Sequence, residues 1–306
     1  LIWTGMETKK VHLVLGSGGA RGVAHIGVIE KLEETGHEII SVTGCSMGAV
    51  VGGMYAAGYL GAYRDWMLTL TKAMVFRIMD FTLPRQGFLK GERIFNILQE
   101  VTGPQCIEQL KIPFTAVAAD MVHNREVHYR TGDLYKAFRA SIAIPGVFTP
   151  VLENGQFLVD GGVLNPLPLN LVEKKEGELV VAVNLNGAAA PIATPAVVEE
   201  DSEEVWALWK WLSPLMQDTK KEQKEILPMA AFSLRELLLS SYHMTQDRLA
   251  ELMLQAYPPD VLVEIPRNAC STFEFYKAKS LVEQGREACS KALAAAAVAS
   301  LMENTR

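Results

Sequence analysis

A run of 25 residues without a charged side chain, from Ile39 to Tyr63, constrains the fold of this chain more than any other feature. The run is long enough to cross a bilayer as one helix. However, six glycines interrupt it, and its first part is β-branched whereas its second part is rich in small residues. We therefore interpret it as a buried strand, a sharp turn and a buried helix, with a membrane span as the alternative.

The segments around this run predict alternating strands and helices. Val11–Leu15 is a short β-rich strand, and Gly22–Thr35 carries apolar residues at a helical period. Ile39–Thr43 then predicts a second strand and Met47–Ala57 a second helix. This order is typical of a parallel sheet with helices on its faces and right-handed crossovers.

The rest of the chain continues the alternation and ends in helices. Further strands are predicted at 114–119, 126–129, 157–159, 179–184 and 261–265, and helices at 93–101, 205–224, 229–256 and 276–302. An Ala-, Pro- and acid-rich stretch at 187–204 predicts an exposed loop.

The composition excludes several classes of protein. Of 306 residues, 49% are hydrophobic and 21% charged, which allows a sizeable core and excludes a wholly disordered chain. With 29 Lys plus Arg against 35 Asp plus Glu, nucleic acid is not an expected partner. The four cysteines show neither a disulfide scaffold nor metal-ligand spacing, so we expect no metal and a reducing, cytoplasmic setting. The first residues lack the basic-then-apolar order of a signal peptide.

The strongest chemical signal is the sequence Gly-Cys-Ser-Met-Gly at 44–48. It has the G-x-S-x-G pattern of a nucleophile elbow and lies between a predicted strand and a predicted helix, as that motif requires. Gly44 and Gly48 would relieve crowding around a strained Ser46, and the helix N-terminus would favour developing negative charge. The structural alternative is that these glycines only let the helix pack closely on the sheet.

A second glycine-rich segment, at 16–22, follows the first strand and opens the first helix. Its backbone N–H groups could converge on an anion. A dinucleotide site would require an acidic residue at the end of the second strand, and a P-loop would require Gly-Lys followed by Ser or Thr; the sequence has neither. An oxyanion hole beside Ser46 is the interpretation that we favour.

A serine nucleophile needs a base, and the histidines are poorly placed to supply one. None of the six follows a late strand, where an α/β-hydrolase triad would have its histidine, and His243 is the least unsuitable. Asp160, followed by Gly161 and Gly162, ends a predicted strand and could act as a base if burial raised its pKa. The alternative is an ordinary turn aspartate.

These motifs, in this order, resemble the patatin-like phospholipase family. The matching elements are the Gly-Gly-x-Arg-Gly loop at 18–22, the G-x-S-x-G elbow, the Asp-Gly-Gly at 160–162, and the stretch Ala140–Pro145 through Phe148 and Pro150. The resemblance covers Val11 to Val172 and is greatest to compact bacterial members related to the neuropathy target esterases. Ser17 stands where the family usually has glycine.

The resemblance implies a three-layer α/β/α fold with a central, mostly parallel sheet and a helical C-terminal extension. Residues 1–10 would be a tail, 11–173 the catalytic domain, and 174–306 an extension packed on the same core. Ser46 would be the nucleophile and Asp160 its base. The oxyanion hole would come from Gly18, Gly19, Ala20 and Arg21, supported by motif glycines Gly16, Gly22, Gly44, Gly48, Gly161 and Gly162.

The implied activity is hydrolysis of fatty-acyl esters, of phospholipids or lysophospholipids, without cofactor or metal. Peripheral membrane contact is the expected mode of access to such a substrate. The rivals are an acyltransferase or His243-dependent esterase, and a non-catalytic nucleotide- or anion-binding regulator. In the extension, core packing or a hydrophobic lid would explain two apolar stripes, one at Trp206, Trp209 and Leu212, the other at Leu234, Leu238, Tyr242, Leu249, Leu252 and Met253.

Overall fold

The computed structural model describes residues 9–80, 89–188 and 234–303. The helix predicted at 205–224, with Trp206, Trp209 and Leu212, lies outside these residues, as does the beginning of the helix predicted at 229–256.

Eight strands form one sheet in the described part of the chain, in the order β5-β6-β3-β2-β1-β7-β8 with β4 paired to β3. Pairs β1–β2, β1–β7, β2–β3 and β7–β8 are parallel, and the pairs of β3 with β4 and β6 and of β5 with β6 are antiparallel. The predicted mostly parallel sheet is thus confirmed. The strands are β1 (Lys10–Leu15), β2 (Glu38–Cys45), β3 (Phe114–Asp120), β4 (Arg125–Tyr129), β5 (Val151–Glu153), β6 (Gln156–Asp160), β7 (Leu179–Gly187) and β8 (Val261–Pro266).

Helices cover both faces of the sheet. Leu13 and Leu15 of β1 pack into the larger core with α1, α2 and α8, whereas Val14, which points the other way, packs near Ala250 of α7. The described helices are α1 (Ala24–Glu34), α2 (Met47–Ala56), α3 (Leu60–Leu68), α4 (Lys72–Ile78), α5 (Glu92–Thr102), α6 (Leu134–Ser141), α7 (Leu234–Ala256) and α8 (Ala278–Glu303).

The last helix, α8, packs closely against the first helix, α1. A Cβ on Gly27 of α1 would lie 1.9 Å from the Val282 carbonyl oxygen, and one on Gly285 of α8 would lie 2.0 Å from the Ala24 carbonyl oxygen. The two backbones therefore approach more closely than side chains at these positions would allow. Strands β7 and β8 belong to the same sheet as β1, so the extension and the N-terminal part share one core.

The uncharged run at 39–63 forms β2, α2 and the beginning of α3, which agrees with the buried strand and helix predicted there. No helix among the described residues has the length and apolar character needed to cross a membrane. On the apolar stripe of α7, Leu238 and Leu252 are 63% and 41% exposed, so the core-packing interpretation does not hold for these two residues. The buried line of α7 runs instead through Gln246 and Ala250.

Candidate active site

Ser46 lies on the turn between β2 and α2 in a strained backbone conformation. Its φ of 55° and ψ of −126° belong to a region that residues with a side chain rarely adopt. A Cβ on Gly44 would lie 2.4 Å from the Gly48 carbonyl oxygen, and one on Gly48 would lie 2.1 Å from the Leu15 carbonyl oxygen. Only glycine fits at either position, so both motif glycines are needed to build the turn.

A hydroxyl at the end of α6 fixes the same turn. The Ser46 N–H donates to Ser141 Oγ at 2.8 Å, and Ser141 Oγ donates to the Val117 carbonyl oxygen of β3 at 2.7 Å. Both serines are buried, at 1% and 0% exposure. Sequence reasoning misses Ser141, because its only signal is its place in the stretch 140–145 that carries part of the resemblance.

Folding brings Asp160 into direct contact with Ser46, although 114 positions separate them in the chain. Cys45 of β2 pairs with Val117 of β3, and Asp160 of β6 pairs with the next β3 residue, Ala118. The Ser46 hydroxyl donates to Asp160 Oδ2 at 2.6 Å. The other carboxylate oxygen, Oδ1, accepts the Gly162 N–H at 2.7 Å and faces the Cys45 thiol at 3.8 Å.

Burial dominates the electrostatics of this carboxyl group. Asp160 is fully buried, and the loss of solvation raises its pKa to about 6. Hydrogen bonds from Ser46 and from the Gly162 N–H oppose this rise because they stabilise the charged form. A carboxylate with this pKa is still ionised at neutral pH but is a far better proton acceptor than an exposed aspartate.

The glycine-rich loop at 16–22 lies beside the serine. Gly19, with a left-handed φ of 58°, lines the same cavity as Ser46. The N–H groups of Gly18 and Gly19 make no hydrogen bond to another described residue, whereas the Ala20 N–H donates to the Thr272 carbonyl oxygen at 2.9 Å. Of the predicted oxyanion donors, Gly18 and Gly19 are therefore unengaged and Ala20 is already occupied.

The remaining motif glycines allow close packing around the two side chains. A Cβ added to Gly16 would lie 2.9 Å from the Val183 carbonyl oxygen, and one added to Gly22 would lie 2.4 Å from Met47 Cβ. A Cβ added to Gly161 would lie 2.4 Å from the Val117 carbonyl oxygen, and one added to Gly162 would lie 2.0 Å from Gln246 Nε2. A methyl group at any of these positions would force neighbouring atoms to move.

The Arg21 side chain anchors the loop to the end of β7. Its Nε donates to the Leu185 carbonyl oxygen at 2.9 Å, and Nη2 donates to Asn186 Oδ1 at 3.0 Å. Below the loop, His25 Nε2 donates to the Gly16 carbonyl oxygen at 2.9 Å. Burial lowers the pKa of His25 to about 4, so this imidazole is neutral at physiological pH.

No histidine is hydrogen bonded to Ser46 or Asp160 among the residues that the structure describes. His243 of α7 has a pKa lowered by burial and by the charge of Arg21. The other contacts of the histidines lie elsewhere: His12 with Ser41 and Glu178, His37 with Thr35, His123 with Asp120, and His128 with Glu126.

An apolar cavity opens from Ser46. Side chains from α2, α3, α4 and α5 and from residues 272–275 line it, including Val50, Trp66 and Phe95. Asp80, the one charged residue among the described residues that line it, accepts the N–H groups of Gly91, Glu92 and Arg93 at 2.5, 2.9 and 3.3 Å. This carboxylate therefore caps the beginning of α5 and leaves the cavity suited to a hydrocarbon chain.

The described ranges contain no cluster of three or more His, Cys, Asp or Glu side chains that could hold a metal ion.

Known proteins resemble this chain over most of its length. A family model described as patatin-like phospholipase matches residues 13–172. An uncharacterized NTE family protein of Mycobacterium tuberculosis is 34% identical, over 95% of this chain and 93% of that protein.

More distant relatives share only part of their length with it. A fungal protein named lysophospholipase NTE1, from Yarrowia lipolytica, is 29% identical over 68% of this chain, which corresponds to 15% of the fungal protein. Among solved structures, VipD from Legionella pneumophila is 13% identical, with a TM-score of 0.45 over 95% of this chain and 67% of that one.

Proposed function

Because the chain belongs to the patatin-like phospholipase family, and is thus a serine hydrolase acting on ester bonds, we propose that it cleaves fatty-acyl esters of phospholipids or lysophospholipids through a Ser46–Asp160 dyad. The observation that carries the proposal is the 2.6 Å hydrogen bond from Ser46 Oγ to a buried carboxylate, at the mouth of an apolar cavity. The name of the fungal relative supports a lipid with a single acyl chain as one substrate.

In the first step, Asp160 Oδ2 accepts the Ser46 proton while Oγ attacks the ester carbonyl carbon. The raised pKa of Asp160 makes this transfer less unfavourable than it would be to an ordinary aspartate. Oδ1 stays fixed by the Gly162 N–H, so the carboxylate keeps its orientation as the proton moves.

The tetrahedral intermediate carries a negative oxygen that requires donors. The unengaged N–H groups of Gly18 and Gly19 are suitable, together with the N–H of Met47, the residue after the nucleophile and the first of α2. The partial positive charge at the N-terminus of α2 acts in the same direction. Ala20, whose N–H is occupied, and the Arg21 side chain take no part in this proposed hole.

Collapse of the intermediate breaks the ester bond, and the proton on Asp160 passes to the departing alkoxide oxygen. The fatty-acyl group is then esterified to Ser46 Oγ, with its hydrocarbon chain in the cavity lined by α2 to α5. A water molecule gives a proton to Asp160 and attacks the acyl-enzyme carbonyl carbon. As this second intermediate collapses, the bond to Ser46 Oγ breaks, Asp160 returns the proton to Oγ, and the fatty acid leaves.

Hydrolysis of p-nitrophenyl esters and of lysophosphatidylcholine by four forms of the protein tests this proposal. Ser46→Ala and Asp160→Asn should each reduce kcat/KM by about 1,000-fold or more, because a nucleophile and its base act as a unit. His243→Ala, the control, should retain activity within a few fold. Full activity in Asp160→Asn, with loss in His243→Ala, would establish a histidine-dependent esterase instead.

A further inference from the structure

Tyr242 of α7 belongs to a polar cluster beside Asp160, together with Gln246 and Ser17. A hydrogen bond from its hydroxyl stabilises the charged form of the Asp160 carboxyl group and so opposes the rise of its pKa. Neither the motifs nor the family match assigns Tyr242 a role, because α7 lies beyond the matched residues 13–172. In the sequence it was only one member of an apolar stripe.

Gln246, one turn further along α7, fixes the position of the tyrosine. It is 2% exposed, and its Nε2 donates to the Tyr242 hydroxyl oxygen at 2.8 Å and to Ser17 Oγ at 3.1 Å. Both N–H bonds of the amide are therefore used. Since the Tyr242 oxygen accepts one of them, its own proton is free to point toward Asp160.

The network passes directly over Gly162. A Cβ at this glycine would lie 2.0 Å from Gln246 Nε2, 3.0 Å from Asp160 Oδ1 and 3.1 Å from Ser17 Oγ. These three polar side chains thus surround one glycine, and the space that a methyl group would take is occupied by the amide of Gln246. Ser17, the one departure from the usual glycine loop, supplies the acceptor at the far end of the network.

Cys45 and Tyr242 are two titratable side chains that donate to the carboxyl group of Asp160, beside the hydroxyl of Ser46. Burial raises the pKa of the Cys45 thiol and of the Tyr242 phenol, so both remain neutral donors. Among the largest influences on Asp160, Tyr242 is the one that comes from α7.

We propose that Tyr242, held by Gln246 and Ser17, is a positioning residue that orients the Asp160 carboxylate toward the Ser46 hydroxyl. The inference rests on the proposed function, since it assigns a partner to the proposed base. It also gives the C-terminal extension a part in the active site in addition to its part in the core.

The pH dependence of kcat/KM for a p-nitrophenyl ester tests this role. The wild type should lose activity below about pH 6, as Asp160 becomes protonated. Tyr242→Phe removes one donor from the carboxylate and should move this acid limb up by about half to one pH unit, with a loss of a few fold on the plateau. Gln246→Leu, which leaves the tyrosine in place without its orienting donor, should move the limb in the same direction by a smaller amount.

Tyr257→Phe is the matched control, because Tyr257 follows α7 and is 48% exposed. Its profile should coincide with the wild-type profile. An acid limb in Tyr242→Phe that coincides with that of Tyr257→Phe would overturn the inference. Asp160→Asn, measured alongside, separates the two proposals. If Asp160→Asn is active, the dyad itself is contradicted. If Asp160→Asn is inactive and the acid limb of the Tyr242→Phe profile lies at the wild-type pH, only the role of Tyr242 is contradicted.

Discussion

Asp160 is a buried carboxyl group held by neutral donors, with no cationic partner among the described residues. Ser46, Cys45 and the Gly162 N–H stabilise its charged form, but they do not compensate fully for lost solvation, and its pKa stays at about 6. The property that makes this side chain a good base therefore makes the folded protein less stable when the carboxyl group is ionised.

Asp160→Asn should stabilise the protein at pH 8 while abolishing its activity. The folded-state pKa lies above the unfolded value of about 3.9, so stability due to this group is complete below about pH 4 and is lost as the pH rises through about 6. An amide is never ionised, and the variant should gain up to about 3 kcal/mol at pH 8; this gain should shrink as the pH falls from about 6 to about 4 and be absent at lower pH. Chemical denaturation at pH 4 and pH 8 measures the difference.

Glu100→Gln, at an exposed position of α5, serves as the control and should show a difference near zero at both pH values. A lower stability of Asp160→Asn than of the wild type at pH 8 would show that the ionised carboxylate is stabilised by the fold, contrary to this description.

At the scale of secondary-structure elements, the turn from β2 to α2 depends on backbone contacts that only glycine allows. Gly48→Ala should reduce the free energy of unfolding by about 2 kcal/mol or more and reduce activity, because its Cβ would lie 2.1 Å from the Leu15 carbonyl oxygen. Gly61→Ala on α3 is the matched control: nothing lies within 4 Å of its Cβ, and stability should change by between 0 and about +1 kcal/mol. Urea denaturation of both variants checks this, and equal effects would refute the contact argument.

The elements that the sequence predicts well are those with a long periodic signal. The predicted bounds are within two residues of the observed ones for β1, β2, α1 and α2. The tight helical turn at Gly19–Val23, just before α1, was not predicted. Helices α3, α4 and α6 were not predicted, since they are short and their apolar residues face a cavity or a neighbouring helix. Asp133 is the N-cap residue of α6, and its side chain accepts the N–H groups of Tyr135 and Lys136. An aspartate at this position is a signal from which the beginning of α6 could have been predicted.

Two features that the sequence analysis missed differ in whether a local pattern contains them. Strand β5 and its turn to β6 could have been found, because Asn154 and Gly155 both adopt positive φ and form the dipeptide typical of a tight hairpin. The buried line of α7, by contrast, contains the polar Gln246, whose burial is explained only by its contacts with Tyr242 and Ser17. A search for apolar periodicity assigns such a residue to the surface.

At the scale of the whole molecule, the cavity beside Ser46 joins segments that are distant in sequence, from α2 to the loop at 272–275. Motifs could indicate that Ser46 and Asp160 act together, but not which helices would enclose the acyl chain. The cavity is a product of how α3, α4 and α5 are placed over α2, and it is the acyl-chain site in the function that we propose.

Ile94→Trp, which adds bulk to the cavity wall on α5, should change the preference for chain length. The ratio of kcat/KM for p-nitrophenyl palmitate to that for p-nitrophenyl acetate should fall about tenfold or more, because a long chain no longer fits while a short one does. Val101→Trp on the same helix, at a position 66% exposed, should leave the ratio unchanged. A ratio unaffected by Ile94→Trp would place the acyl chain elsewhere.

The rate at which a fluorophosphonate labels the intact protein, with the modified peptide identified by mass spectrometry, tests the Ser46–Asp160 dyad most directly. We expect one adduct, on Ser46, formed at the wild-type rate in His243→Ala and at least about 100-fold more slowly in Asp160→Asn. An adduct on a different residue, or labelling of Ser46 that is as fast in Asp160→Asn as in the wild type, would contradict the dyad.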